Sequence, residues 1–243
     1  MRRIALWWLL AAPLLPIILP QALYTRRTAL RLPPAAGQPH GLAGAGFAGE
    51  PLRLLLVGES TVAGVGVGSL QAALPGQLAE ALARRLQRPV QWRAWGENGI
   101  TAGQASQRLL PGALAEPVDL ALLVFGVNDT TGLSSLRQWQ QPLRQMAWQL
   151  GQGGAQVAFS AVPPLEHFRA LPWLLRQVLG ARGRILDHSL RRLAAEVGAQ
   201  HCAVELEFAC EYLAEDGYHP SGSGYRVWAE GLAAQLRLDR SAR

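Results

Sequence analysis

Short, solid apolar runs alternate along this chain with longer stretches in which leucines recur every three or four residues. Leu52–Val57 is the first such run, the pattern of a strand buried on both faces. Leu74, Leu78, Leu82 and Leu86 then recur at helical spacing and stop before Pro89. Val90–Ala94 is a second predicted strand and Asp119–Phe125 a third. Leu136, Trp139, Leu143, Met146 and Leu150 mark a further helix, which Gly151–Gly154 ends. Gln156–Ala161 is a fourth strand, and Leu186, Leu190, Leu193 and Val197 line another helix. A short fifth strand at Ala203–Leu206 is followed by a closing helix through Tyr225, Trp228, Leu232 and Leu236. This strand–helix alternation predicts a three-layer α/β domain on a five-stranded parallel sheet.

Two N-terminal segments stand outside the alternation. Ile4–Tyr24 carries no charge, and its helical length of about 30 Å matches the hydrocarbon thickness of a bilayer. Arg2 and Arg3 precede it, Arg26 and Arg27 follow it, and Trp7, Trp8 and Tyr24 suit interfacial positions. Pro13, Pro16 and Pro20 count against a straight helix, since each removes a backbone donor. Residues 1–25 therefore read as an uncleaved, single-pass transmembrane anchor that contacts the membrane through residues 4–24. A cleaved signal peptide competes, but Pro20-Gln21-Ala22 fits the small-residue cleavage pattern poorly, and Ala43-Gly44-Ala45 lies too far downstream. The flanking arginines nearly balance, so the expectation of an extracytoplasmic domain leaves the side undecided. Residues 26–50, with Pro33, Pro34 and Pro39 among scattered glycines, read as a linker, and residues 51–243 as the folded domain.

Charge changes the picture less than its total suggests. The net +6 comes from 23 basic residues, all of them Arg, against 17 acids. Five of those arginines fall in the first 31 residues, which hold no acid, so the remainder is nearly neutral. A nucleic-acid partner, which needs a basic stripe on the folded domain, is not expected. The 49% hydrophobic content fills a core for a chain of 243 residues and excludes a disordered one. Cys202 and Cys210 are too few for a disulfide scaffold; their spacing permits a disulfide without requiring one. His201 with these cysteines lacks metal-ligand spacing, so no zinc site and no metal or other cofactor is expected. His167 and His188 read as surface or packing residues.

Candidate chemistry collects where strands end, which is where an open parallel sheet binds ligands. Gly58-Glu59-Ser60-Thr61 follows the first strand, Glu97-Asn98-Gly99 the second and Gly126-Val127-Asn128-Asp129 the third. Asp216-Gly217-Tyr218-His219-Pro220 precedes the last helix, with Ser221 placed to cap it. Together these supply a hydroxyl nucleophile, an imidazole base, a carboxylate three residues away to orient it, and amide donors, the parts that acyl transfer requires. Taken singly, each cluster reads better as a turn than as a site. A hydroxyl needs a base to take its proton as it attacks, and His is the side chain whose pKa suits that task.

Four such blocks in this order, from Gly58 to Ser221, resemble those of the SGNH hydrolases, also called GDSL-type esterases and lipases. The resemblance implies a flavodoxin-like α/β/α fold and metal-free hydrolysis of esters or thioesters. It also implies Ser60 as nucleophile, Asp216 and His219 as the rest of a triad, and Ser60, Gly99 and Asn128 as oxyanion donors. One departure stands out: Glu59 occupies a position where the family usually has Asp, a supporting residue beneath the nucleophile. The expected substrate is a small-molecule or lipid-like ester, or one associated with the cell envelope, on account of the anchor. Two other readings stay open. One is an O-acetylesterase or acyltransferase acting on envelope polysaccharide; the other is a catalytically silent, membrane-tethered binding protein.

Rival motifs fail on their letters. Gly64-Val65-Gly66-Val67-Gly68 lacks the third glycine of a dinucleotide loop and reads instead as a flexible segment at a substrate entrance. An α/β-hydrolase elbow needs Gly where Val62 stands, and a P-loop needs a Lys that the chain does not contain.

Overall fold

A computed structural model describes residues 2–205 and 209–238. The chain opens with α1 (Arg2–Ala11), a 3₁₀ turn at Ala12–Leu14 and α2 (Leu15–Thr28), so that the apolar segment is one nearly continuous helix. There follow β1 (His40–Ala43), β2 (Leu52–Gly58), α3 (Leu74–Leu86) and β3 (Val90–Gly96). Then come α4 (Ala102–Arg108), α5 (Leu110–Ala113), β4 (Leu120–Val124), α6 (Val127–Thr131) and α7 (Leu136–Gln152). The described chain closes with β5 (Gln156–Ser160), α8 (Trp173–Val197), β6 (Gln200–Cys202) and α9 (Gly222–Gln235).

The sheet has six strands in the order β1-β3-β2-β4-β5-β6, where five parallel ones are expected from sequence. Five of the six are parallel; β1 runs antiparallel to β3, pairing Gly41 with Trp92 and Ala43 with Val90. Its four residues, HGLA, include a glycine and have no apolar alternation, so the strand is invisible to a periodicity reading. It forms because the edge of β3 offers unpaired backbone groups and Trp92 offers a flat ring beneath Gly41. The segment read as a linker thus supplies an edge strand. The last parallel strand is also displaced: it lies at Gln200–Cys202, while Ala203–Val204 are not in a strand and Leu206 lies outside the described residues.

Strand residues alternate between two cores. Leu55, Val57, Ala121, Leu123 and Phe159 face one cluster with α4, α5, α7 and α8. Leu54, Leu56, Leu120, Leu122 and Ala158 face the other, with α3 and α9. Both faces of every central strand are covered, which is why those strands read as solid apolar runs. The chain leaves β2 for β3 on one side and returns past it to β4 on the other, so the topological switch lies at β2 and opens a crevice beyond its carboxyl end.

The N-terminal helix packs along α8. Trp7 Nε1 donates to Val178 O at 2.9 Å, the Arg182 guanidinium lies 4.9 Å from the Trp7 ring centre, and Leu175 N donates to Gln21 Oε1. Ile18 joins the core cluster on that side. The opposite face leaves Leu6, Leu9, Leu10, Ile17, Leu19 and Leu23 exposed.

Candidate active site

Ser60 sits two residues beyond β2, at the start of a tight turn closed by hydrogen bonds from Val62 N to Glu59 O and from Val65 N to Ser60 O. Glycines permit the close packing around it. A Cβ on Gly58 would meet Val124 O at 2.5 Å, and one on Gly96 would meet Ala63 N at 2.3 Å. The Ser60 turn is therefore seated directly against the backbones of β4 and β3.

Asp216 and His219 belong to a turn whose ends are joined by an antiparallel bridge between Leu213 and Pro220. Asp216 Oδ2 is 2.6 Å from His219 Nδ1, while its Oδ1 accepts from the amides of Tyr218 and His219 at 2.9 and 3.0 Å. Burial pushes the Asp216 carboxyl up, but these hydrogen bonds outweigh it and hold the group below the ordinary aspartate value. Ser221 then caps α9, accepting from Gly224 N.

The turn is held against the segment that follows Ser60, Gly64–Gly68. Gly66 has φ +101°, and a Cβ there would meet Pro220 O at 2.5 Å and His219 Cβ at 3.3 Å. The Tyr225 hydroxyl, from α9, donates to Val65 O at 2.6 Å. Among the described residues none of this segment lines the cavity; it runs from buried Gly64 and Val65 to exposed Gly68 as a spacer between the Ser60 and His219 turns, and not at a cavity entrance.

Gly99 follows β3 with φ +83°, a conformation that favours glycine, and a Cβ there would project into open space. Two residues later Thr101 caps α4 in a reciprocal capping box with Gln104. Asn128 lies in α6, just after β4, and its Nδ2 donates to Glu59 Oε2 at 2.6 Å and to Ile100 O at 3.1 Å. The neighbouring Asp129 accepts from Ala102 N at 2.8 Å and from the Ser134 hydroxyl at 2.7 Å. The Gly99 and Asn128 loops are thus cross-braced.

Glu59 is the supporting residue that sequence reading marked only as a departure. Its Oε1 accepts from Val127 N and its Oε2 from Asn128 N, both at 3.0 Å, besides the Asn128 side chain. Burial, opposed by these amides, pushes its carboxyl up to about 7. The Glu59 carboxylate thus spans from the Ser60 turn to the start of α6. Burial also raises Asp129, against the hydrogen bonds it accepts.

Ser60, Gly99, Asn128, Glu59 and His219 all line one cavity of about 560 Å³, with Asp216 behind His219. Its remaining wall is largely apolar, including Phe125, Leu165, Phe168, Leu171 and Trp228. Among the described residues, Ser60 Oγ makes no hydrogen bond to His219 in this arrangement, a link that commonly tightens only with substrate in place. The other histidines lie elsewhere. His167 and His188 are exposed, and His201 contacts Asp187 at 2.9 Å. Both cysteines are free, Cys202 buried and Cys210 exposed.

Comparison with known proteins fits this geometry. The model of the GDSL-like lipase/acylhydrolase family matches residues 56–227. The GDSL-like esterase Rv1075c of Mycobacterium tuberculosis is 27% identical over 198 residues, covering 76% of this chain and 62% of that protein. The chain therefore spans less than two thirds of that relative's length. The crystal structure of TesA is similar with a TM-score of 0.61 at 23% identity, covering 76% of this chain and 98% of that one. The psychrotrophic esterase EstA from Pseudoalteromonas sp. gives 0.59 at 15% identity, covering 75% and 95%. At those identities the structural likeness is one of fold, and it is the family match across most of the folded domain that places the protein: the chain belongs to the GDSL-like lipase/acylhydrolase family.

Proposed function

We propose that the chain is a serine esterase working through an acyl-enzyme on Ser60. Ser60 Oγ attacks the ester carbonyl while His219 takes its proton; the bond to the alcohol oxygen then breaks, and His219 returns the proton to that oxygen. Water attacks the acyl-enzyme with its proton passing to His219, and the acid leaves as Ser60 recovers a proton. Asp216 holds the imidazole tautomer and remains ionised, in keeping with its lowered pKa. The backbone N–H groups of Ser60 and Gly99 and the Asn128 side-chain amide are assigned to the developing oxyanion. Asn128 must then share with the oxyanion a hydrogen now directed at Glu59 or Ile100 O.

The observation that carries this reading is the 2.6 Å Asp216–His219 contact opening on the cavity that also holds Ser60, Gly99 and Asn128. Labelling of the full chain by a fluorophosphonate tests it. An adduct that forms with the parent and not with Ser60→Ala establishes an activated serine. Hydrolysis of a simple ester should fall by ~10⁴ in kcat for Ser60→Ala and by ~10²–10³ for Asn128→Ala. A folded chain that neither labels nor turns over would favour the silent binding protein.

Membrane attachment through the N-terminal helix belongs to the same proposal, as a single-pass anchor with the domain outside the cytoplasm. A second geometry is favoured by the contacts of Trp7, Ile18 and Gln21 with the domain, which a helix crossing the bilayer would give up. In it the helix lies in the membrane surface with Leu6, Leu9, Leu10, Ile17, Leu19 and Leu23 in lipid. Alkaline carbonate releases an in-plane helix and retains a spanning one.

A further inference from the structure

The catalytic cavity is not closed by the folded domain alone. Arg26, Ala29 and Arg31, from the end of α2 and the residues after it, line it together with Ser60 and His219. Their place is fixed from both sides. Upstream, Gln21 and Ile18 attach the helix to α8 and its core. Downstream, Ala35 N donates to Ala63 O and Ala36 N to Gly68 O, tying the chain to the segment that follows the nucleophile.

Both arginine side chains are exposed, and among the described residues neither makes an ion pair with a carboxylate. Among the described residues the single acid lining the cavity, Glu59, is buried, with both oxygens accepting amides. An adjoining groove, which shares Ala29, Leu171 and Tyr218 with the cavity, is lined by Arg169 and by Asp216, whose carboxylate is engaged with His219. Two guanidiniums without a carboxylate partner, Arg31 Nη2 donating at 3.5 Å to Arg26 O, thus line a cavity whose inner wall is apolar. A neutral ester would leave that cationic rim without a partner, whereas an ester bearing an anion would use both halves of the cavity.

We infer that Arg26 and Arg31 form an anion subsite at the mouth of the catalytic cavity, selecting amphiphilic esters that carry a phosphate or carboxylate beside an acyl chain. The inference rests on the esterase reading of Ser60. The apolar wall takes the acyl chain and the ester carbonyl lies over Ser60. The anion meets the arginines at the end of the apolar helix, where a headgroup at a membrane surface would also lie. The N-terminal segment is then part of the specificity of the enzyme as well as its means of attachment.

Three butanoyl esters of one three-carbon alcohol frame test this on the full chain in neutral detergent: 1-butanoylglycerol, 1-butanoylglycerol 3-phosphate and 3-O-butanoylglycerate. At low salt, kcat/KM for at least one anionic ester should exceed that for the neutral one by about tenfold, with the difference in KM. Whether the phosphate or the carboxylate is preferred identifies the headgroup. In Arg26→Ala/Arg31→Ala the ratio should fall toward one, Arg26→Lys/Arg31→Lys should retain part of it, and Arg26→Glu/Arg31→Glu should invert it. Arg27→Ala, one residue along the same helix but outside the cavity, should leave the ratio as it is. Added salt should erode the ratio in the parent chain. Ser60-dependent hydrolysis with a ratio near one, or a ratio untouched by the double Ala change, overturns the anion subsite and leaves the esterase reading intact. No hydrolysis of any of the three, with no fluorophosphonate adduct, overturns both.

Discussion

Asn128 Nδ2 donates to Glu59 Oε2 at 2.6 Å, so the side chain proposed for the oxyanion is oriented by the residue directly before Ser60. The same carboxylate accepts the amides of Val127 and Asn128. Glu59 thus couples the Ser60 turn to the start of α6, and in the proposed mechanism it acts through Asn128 as a positioning residue.

Replacing Glu59 by Gln should therefore lower kcat more than it changes KM. The amide keeps the shape but offers one acceptor oxygen where three N–H groups converge, leaving a buried donor unmatched. A loss of about ten- to a hundredfold in kcat is expected, from the misplacement of a single oxyanion donor. Steady-state kinetics on one ester checks it, and an unchanged kcat would remove Glu59 from any role in aiming Asn128.

The same residue gives stability a pH dependence of definite sign. Its carboxyl is raised to about 7 by burial, whereas the unfolded chain titrates it near 4.5. Between those values the folded state binds the extra proton, so its contribution to stability falls as pH rises through that window. Denaturant titrations at pH 5 and pH 8 should show a smaller decline in Glu59→Gln than in the parent chain. Equal declines would mean that Glu59 does not titrate in this range.

Gly66→Ala should damage both folding and catalysis. A residue at φ +101° with a Cβ 2.5 Å from Pro220 O must displace the turn that carries His219, at a cost of roughly 1–3 kcal/mol. Lower thermal stability together with slower fluorophosphonate labelling is the expected result. Normal labelling would show that the turn relaxes without moving His219.

Trimming the chain to begin at Leu52 removes β1 and exposes the edge of β3 with Trp92 beside it. The trimmed domain should be less stable than the full chain and prone to associate through that edge. It also loses Arg26, Ala29 and Arg31 from the cavity wall. Size-exclusion chromatography and thermal unfolding of the two forms compare them directly, and equal stability would show that β1 contributes nothing.

The central strands and the helices that cover them were legible in the sequence, because burial on both faces leaves a solid apolar run and burial on one leaves a 3.6-residue period. Leu52–Gly58 and Leu120–Val124 are such runs. The four polar blocks were legible as well, since residues at the carboxyl ends of parallel strands are brought to one edge by the topology itself. β1 was not, because HGLA owes its conformation to a partner strand and not to its own pattern.

Residue type and spacing alone set what Ser60, Asp216 and His219 can do, and Asp216 and His219 lie close enough in the chain for one turn to join them. Other relationships span the whole fold. Glu59 reaches Asn128 across 69 residues, Tyr225 reaches Val65 across 160, and Trp7 reaches Val178 across 171. Contacts at such separations leave no period in the sequence, because they follow from how layers and loops pack once the sheet has formed. Apolar pattern and residue type are enough to set the layered fold and the chemical groups at its edge. The packing of loops and layers is what sets the Asn128 side chain on Glu59, the glycine segment against the His219 turn, and Arg26 and Arg31 beside the cavity.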